Sequence, residues 1–131
     1  MAIKWDPAKM STGFSDVDAQ HQEWIRRYNQ FDEAIQKQHG LDAVRSTLDF
    51  FIGYANTHFA LEERRMAERN CPTAEANRAA HQVMRDMLSG FKKYLDKKEV
   101  SMSDVAVLRY DMENWLVTHI LEIDMKLKDC H

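Results

Sequence analysis

Residues that interrupt secondary structure are scarce in this chain, which has only 4 glycines and 2 prolines among 131 residues. Many short strands joined by tight turns would need more of both, so the composition favours a few long helices. Hydrophobic residues make up 44% of the sequence and charged residues 30%. We therefore expect an all-α fold, and the length fits one domain spanning residues 1–131.

Cysteine is also rare, since Cys71 and Cys130 are the only two. Two cysteines are too few for a disulfide framework, and neither has the CxxC spacing of a zinc or redox site. Both would lie at the same end of an antiparallel bundle, where a bridge is geometrically conceivable. The first 14 residues show no signal peptide, so we predict a cytoplasmic location and free thiols.

Two further absences exclude classes of partner. The formal net charge is −3, which lacks the positive excess of a nucleic-acid-binding protein. No apolar run approaches the roughly 20 residues that a membrane span needs. We expect neither nucleic acid nor membrane as a partner.

Four stretches carry apolar residues at alternating steps of three and four, the spacing of helices that share a seam. This spacing predicts helices over about 18–38, 41 to about 69, about 73–97 and from near 103 onward. Gly40 separates the first two, and Asn70-Cys71-Pro72 ends the second, because proline disfavours a helical residue before it. Short connections make neighbours antiparallel, so we predict an up-down-up-down four-helix bundle with an N-terminal leader over residues 1–15.

Polar residues continue the apolar stripes at one end of this bundle. The starts of the first and third helices lie at the same end as the finishes of the second and fourth. The intruding residues there are His21, His58, Glu62, His81, His119 and Asp124, with Asn77 beside them.

A single histidine on an apolar face is more often a hydrogen-bonded core residue than a metal ligand. Six such groups at one level are different, because burying them together costs on the order of several kcal/mol unless something compensates. Histidine and carboxylate without thiolate suit iron, manganese or zinc. Six ligands exceed the four of one tetrahedral zinc, so the set predicts two metal ions bridged by carboxylates. His39 and His131 lie where solvated histidines normally occur.

The last two candidates have an unusual spacing. His119 and Asp124 are five residues apart, which is roughly 140° around a regular helix. A local widening of the turn would bring Asp124 back to the seam, and such π-type turns are frequent at functional sites. We therefore expect a π-type distortion near the end of the fourth helix.

The chain has no Glu-x-x-His motif, which the ferritin-like dimetal bundles require on each of two helices. Its spaced set is instead His21, then His58-Phe-Ala-Leu-Glu62-Glu63, a Pro72-led helix with His81, and His119-x4-Asp124. Together with the leader, this set resembles the hemerythrins, and most closely the bacterial hemerythrin domains, over nearly the whole chain.

The resemblance implies a non-haem diiron centre that binds dioxygen without being an enzyme. Carried over by position, His21 and His58 would bind one iron, and His81 and His119 the other. Glu62 and Asp124 would bridge both irons, together with an oxo or hydroxo bridge. Azide and other small anions would be exogenous ligands.

One position departs from the family pattern, which has His-x3-His at the start of the third helix. This chain reads Asn77-Arg-Ala-Ala-His81. An amide oxygen is a weak iron ligand, so we expect water at the vacant position, hydrogen-bonded to Asn77. The residues expected beside the oxygen pocket are Trp24, Leu61, Met84, Leu116 and Ile120; a role in the ordinary core fits them as well.

Three functions remain open at this point. Oxygen or redox sensing, with a possible C-terminal output domain, is favoured by Asn77 and by a fourth helix that shows no Gly or Pro stop through residue 131. Oxygen storage or delivery by a free-standing bundle is the alternative. A metal-free helical interaction domain is the third, and the buried polar set argues against it.

Overall fold

The computed structural model describes residues 3–97 and 99–123 and is helical almost throughout. A short helix α1 (Pro7–Met10) precedes four long ones, α2 (Ser15–Gln36), α3 (Leu41–Glu68), α4 (Ala74–Leu95) and α5 (Met102–Thr118). A π-helical turn, His119–Ile123, continues α5. No residue in the described part of the chain is in a strand, which confirms the all-α expectation. The predicted π-type distortion is also confirmed, although Asp124 itself lies outside the described residues.

A residue with left-handed backbone conformation follows each of helices α2 and α3. This conformation lets the next backbone N–H donate to a carbonyl oxygen in the last turn of the helix. After α3 this residue is Asn70, with φ of 51°, and Cys71 N donates to Met66 O at 3.0 Å. After α2 it is Gln38, with φ of 52°. This is the Schellman arrangement, so α2 ends two residues before the predicted boundary and Gly40 serves as the N-cap of α3.

Contacts between helix ends show that neighbouring helices are antiparallel. Asp16 near the start of α2 pairs with Arg65 near the end of α3. Arg45 near the start of α3 donates from Nε to Leu95 O, at the end of α4, at 3.0 Å. The predicted up-down-up-down four-helix bundle is therefore confirmed.

The core fills the space between the four long helices with aromatic and aliphatic side chains. Its largest fully buried members are Trp24, Tyr28, Phe31, Phe51, Phe59, Phe91, Leu48, Met66, Met84, Leu95, Met112 and Leu116. Burial of this kind is the main stabilising term of a small domain.

A polar clip joins the middle of α2 to α5. Arg109 Nη1 donates to Asp32 Oδ1 at 2.6 Å, and both side chains are largely buried, with 17% and 7% exposure. Tyr28, which is fully buried, donates its hydroxyl to Arg109 O at 3.3 Å and to Glu113 Oε1 at 3.4 Å. The clip fixes α5 against α2. It therefore also fixes the position along the bundle axis of His119, which follows α5.

The leader packs along the side of α2. Ile3 N donates to Asn29 Oδ1, and Asn29 Nδ2 donates back to Ile3 O, each at 2.8 Å. Farther along, Thr12 Oγ1 donates to Asp18 Oδ1 at 2.8 Å. The leader thus covers the α2 flank that carries His21, whose ring centroid lies 6.4 Å from that of Trp5.

The expectation of free thiols is wrong for Cys71, which is disulfide-bonded and 6% exposed. Cys130, the other cysteine of the chain, lies outside the described residues. Free thiols were expected because disulfides are typical of oxidising compartments and the first 14 residues show no export signal. None of the described helices is long and apolar enough to cross a membrane.

Tyr28 gives the clip a dependence on alkaline pH. Burial, followed by the nearby Glu113 carboxylate, raises the pKa of its phenol. A group whose pKa is raised on folding stabilises the fold fully below its unfolded pKa of about 10, and this stabilisation is lost as pH rises through the folded pKa. Tyr28→Phe should cost about 1 kcal/mol at neutral pH, and its deficit relative to wild type should shrink above pH ~10. Urea unfolding across this pH range measures both effects.

Tyr110→Phe is the matched control, because Tyr110 is 58% exposed. It should leave the free energy of unfolding nearly unchanged at neutral pH. An equal deficit in both variants would contradict a specific role of the buried phenol.

Candidate metal centre

Four helical segments bring the described candidate ligands to one end of the bundle. His21 is on α2, His58 and Glu62 are on α3, His81 is on α4, and His119 is the first residue of the π-helical turn. The first four are 0% exposed and His119 is 3% exposed. The structure therefore brings together five of the six predicted ligands, and the sixth, Asp124, lies outside the described residues.

Glu62 occupies the middle of this cluster, with one carboxylate oxygen turned to each side. Oε2 lies 3.2 Å from His21 Nε2 and 3.2 Å from His58 Nε2. The two nitrogens are themselves 2.9 Å apart. These three atoms form a compact triangle of donors on the α2–α3 side.

The other oxygen faces a second pair of histidines. Glu62 Oε1 lies 3.2 Å from His81 Nε2 and 3.7 Å from His119 Nε2. His81 Nε2 and His119 Nε2 are 2.9 Å apart. A second, slightly wider triangle therefore lies on the α4–α5 side and shares the Glu62 carboxylate with the first.

The dimensions of the triangles fit metal ions. Adjacent ligands of an octahedral ion at ~2.1 Å are ~3.0 Å apart, whereas tetrahedral ligands at that distance are ~3.4 Å apart. Five of the six edges, at 2.9 to 3.2 Å, lie near or between these two spacings. Two neutral imidazole lone pairs at 2.9 Å also repel each other unless a proton or a cation lies between them. The donor set is therefore suited to two cations that share the Glu62 carboxylate.

Polar groups outside the triangles contact the far nitrogens of two histidines. Gln20 Oε1 lies 3.3 Å from His58 Nδ1, and Glu63 Oε1 lies 3.5 Å from His81 Nδ1. Arg85 Nη2 in turn lies 3.4 Å from Glu63 Oε2. The Gln20 contact is within hydrogen-bonding distance, whereas the Glu63 carboxylate acts on His81 as a nearby charge, because His81 Nδ1 has no hydrogen-bond partner in the described part of the chain. A polar partner orients a ligating imidazole, and a nearby anion makes it a stronger donor.

Aromatic rings stack on the faces of two of the imidazoles. Phe59 stacks on His81 with ring centroids 4.1 Å apart and planes at 20°. Trp115 stacks on His119 at 4.4 Å and 12°. Sequence reasoning assigned no site role to either residue. The available signal was their spacing, since Phe59 follows His58 directly and Trp115 lies one helical turn before His119.

Asn77 contacts the cluster through its amide nitrogen. Nδ2 donates to Glu62 Oε1 at 2.8 Å and to Met66 Sδ at 3.2 Å. The side chain is 0% exposed, and Oδ1 has no hydrogen-bond partner among the described residues. Asn77 is therefore fixed against the shared carboxylate, on the side of His81.

Four of the five residues expected beside an oxygen pocket, namely Trp24, Met84, Leu116 and Ile120, are fully buried in the main core. Leu61 is only partly buried and packs against a separate small cluster of Val17, Met66 and Cys71. The Trp24 ring lies 5.2 Å from that of His58. Its indole N–H is buried and has no hydrogen-bond partner in the described part of the chain.

Comparison with known proteins agrees with this geometry. Residues 12–130 match the family model of the Hemerythrin HHE cation binding domain. The chain is 28% identical over 120 residues to a bacteriohemerythrin of Stenotrophomonas maltophilia, covering 92% of this chain and 76% of that protein. It is 24% identical over 116 residues to a bacteriohemerythrin of Pseudomonas aeruginosa, covering 88% and 72%.

Solved structures show the same fold. A wild-type hemerythrin crystal structure superposes with a TM-score of 0.86 at 22% identity and covers 99% of this chain and 98% of that one. A crystal structure of a hemerythrin in which a tyrosine replaces one leucine gives the same values.

Glu63 provides a test of the outer contacts. Glu63→Gln removes the charge that faces His81 Nδ1, and it should weaken retention of a cation on the His81 side by ~10- to 100-fold. Metal content after dialysis against graded chelator measures this loss. Glu75→Gln is the control, because Glu75 is 81% exposed and pairs only with Arg78 on its own helix among the described residues. Equal metal loss in both variants would contradict a role of Glu63 in supporting His81.

Proposed function

The chain belongs to the hemerythrin family, and on this basis we propose that it is a non-haem diiron protein that binds dioxygen. The observation that carries the proposal is the shared carboxylate of Glu62. One of its oxygens lies 3.2 Å from the Nε2 atoms of His21 and His58, and the other lies 3.2 Å from that of His81. A bridging carboxylate between two metal ions needs this arrangement.

In the proposed centre, His21 and His58 would hold one iron, and His81 and His119 would hold the other. Glu62 would bind both irons, and Asp124 and solvent are the further ligands that we propose. Iron agrees with a donor set of imidazole and carboxylate without thiolate. Two irons held by these residues would supply the electrons that binding of dioxygen requires.

The residues around the centre exclude water and give the ligand a polar contact. Trp24, Met84, Leu116 and Ile120 are fully buried, so they keep bulk solvent away from the metals. The unpartnered indole N–H of Trp24, on the His58 side of the described structure, is a donor available to a bound ligand. Leu61 completes the proposed lining from the small cluster.

We propose binding rather than catalysis for this site. The five described donors lie in a closed core, where their exposure is at most 3%. A small diatomic molecule or anion can enter through side-chain motion, whereas a larger organic substrate needs a preformed cleft. Dioxygen, azide and other small anions are therefore the proposed ligands.

Metal content tests the proposal directly. The purified protein should contain about two irons per chain, and its oxidised form should show ultraviolet charge-transfer bands that shift with azide. Glu62→Ala should lose iron and stability together, because it leaves four imidazoles buried without their shared carboxylate, an effect of several kcal/mol. Iron analysis and thermal unfolding measure both.

His39→Ala is the matched control, since His39 lies on the exposed loop after α2. It should keep the iron content of the wild type. Zinc without iron in protein from iron-replete cells would contradict the proposed centre, and so would equal damage by the two substitutions.

Within this family we propose oxygen or redox sensing as the role, and oxygen storage or delivery is the second candidate. The observation that favours sensing is Asn77, which stands where the family pattern has a histidine. A centre with fewer imidazole donors is less shielded and oxidises more readily, and this suits a protein that reports oxidation. Sensing also needs a partner that responds to the site, such as a C-terminal output domain.

The autoxidation rate distinguishes the two roles. Asn77→His should add an imidazole donor on the His81 side and slow oxidation of the reduced protein in air. Absorbance of the oxidised form, followed over time in both proteins, measures the rate. If the new imidazole binds iron in a structure of the variant and the rate is unchanged, Asn77 does not tune this centre, and its support for sensing is lost.

A further inference from the structure

We propose that a groove between α3 and α4 binds a small organic carboxylate with a hydrocarbon chain, and that this ligand competes with Glu63 for the guanidinium of Arg85. The groove lies outside the two donor triangles, so the proposal goes beyond the diiron function. The described residues that line this α3–α4 groove are Ile52, Asn56, Arg85, Leu88, Ser89 and Lys92.

The spacing of the lining residues explains why they meet in one groove. Ile52 and Asn56 are one turn apart on α3, and Arg85 and Lys92 are two turns apart on α4, so each pair shares a helix face. The groove has a volume of about 350 Å³, and binding sites for small molecules measure roughly 300–1,000 Å³. Its size therefore suits a small ligand.

The charges of the groove favour an anion. Arg85 and Lys92 are both cations, and the described lining includes no carboxylate. Glu63 Oε2, 3.4 Å from Arg85 Nη2, and Asp49 Oδ1, 3.1 Å from Lys92 Nζ, approach from outside the lining. A guanidinium has five N–H donors and an ammonium has three. Donors therefore remain on both cations for a carboxylate ligand.

Arg85 is the better placed of the two cations. Its guanidinium carbon lies 5.0 Å from the centroid of the Phe59 ring. Its side chain is 32% exposed, whereas that of Lys92 is 54% exposed. A planar guanidinium that is held against a ring and partly withdrawn from water binds a carboxylate more strongly than a solvated ammonium does. We therefore place the ligand carboxylate at Arg85, with Lys92 adding attraction from the other end of the groove.

The apolar part of the groove favours a ligand that carries a hydrocarbon chain. Leu88 is 2% exposed, and Ile52 is partly buried against the main core. An inorganic anion would leave the exposed part of this surface in water, whereas a hydrocarbon chain would cover it and gain free energy. The combination of a cation and an apolar floor thus fits an organic carboxylate.

Arg85 also connects the groove to the candidate metal centre. Glu63 contacts Arg85 through Oε2 and places Oε1 3.5 Å from His81 Nδ1. A ligand carboxylate at Arg85 weakens the contact with Glu63, because both anions compete for the same guanidinium. The ligand therefore changes the electrostatic environment of His81 without contacting it.

Isothermal titration calorimetry of the purified protein with sodium octanoate tests the proposal. We expect one octanoate per chain. The affinity should rise about two- to fourfold for each methylene added from butyrate to octanoate, because the added groups cover apolar surface. Octanol, which has the chain but no charge, should bind about tenfold more weakly than octanoate.

Substitutions should change the affinity in opposite directions. Arg85→Gln should weaken octanoate binding about tenfold. Lys92→Gln should weaken it about two- to threefold, and it leaves the fold intact because the side chain is largely exposed. Glu63→Gln should tighten binding about two- to threefold, because Arg85 then faces no competing carboxylate. A general loss of structure would weaken binding in all three variants.

Lys93→Gln is the matched control, because it removes the same charge from the neighbouring exposed position of α4, outside the lining. It should keep the wild-type affinity. Equal weakening in Lys92→Gln and Lys93→Gln would refute the groove as the site, and so would equal affinities for octanol and octanoate. Unchanged or weaker binding in Glu63→Gln would overturn the competition for Arg85. These readouts do not depend on iron content, so their failure is distinct from failure of the diiron proposal.

Discussion

The buried carboxylate of Glu62 is the constraint on which the rest of the structure depends. It is 0% exposed, and burying an unpaired carboxylate is prohibitively costly. The groups that meet it come from all four long helical segments, so the helices must reach the same level to satisfy it. Two metal ions would satisfy the carboxylate and the imidazole lone pairs at once. Metal binding at this end of the bundle would therefore be coupled to its folding.

Sequence reasoning recovered the fold because the polar residues at the site obey the same periodicity as the core. His58 and Glu62 continue the apolar register of α3, and His81 begins that of α4. Helix geometry fixes which positions share a face, so the spacing of these residues in the sequence predicts their position in the bundle. The five-residue spacing after His119 was informative for the same reason, because it is a mismatch that only a widened turn resolves, and the structure has a π-helical turn there.

Contacts that periodicity does not encode were missed or misjudged. The stacks of Phe59 and Trp115 depend on the side-chain rotamers that these residues adopt. The Glu63 contact depends on the conformation of a flexible side chain. The path of the leader is likewise set by a contact that periodicity does not encode, the pair of hydrogen bonds between Ile3 and Asn29. Free thiols were expected at Cys71 because no export signal was found, although the position of both cysteines at one end of the bundle left a bridge conceivable. The bonded state of Cys71 shows that the position was the better guide.

The two sides of the centre offer opposite polar groups to a ligand. Among the described residues, the indole N–H of Trp24 on the His58 side is a buried donor without a hydrogen-bond partner, and Oδ1 of Asn77 on the His81 side is a buried acceptor without one. A donor favours ligands that carry lone pairs, such as dioxygen or azide, whereas an acceptor favours ligands that carry a proton. Asn77 thus places a hydrogen-bond acceptor where the family pattern has a metal-binding nitrogen, and this one position accounts for the difference between the two sides.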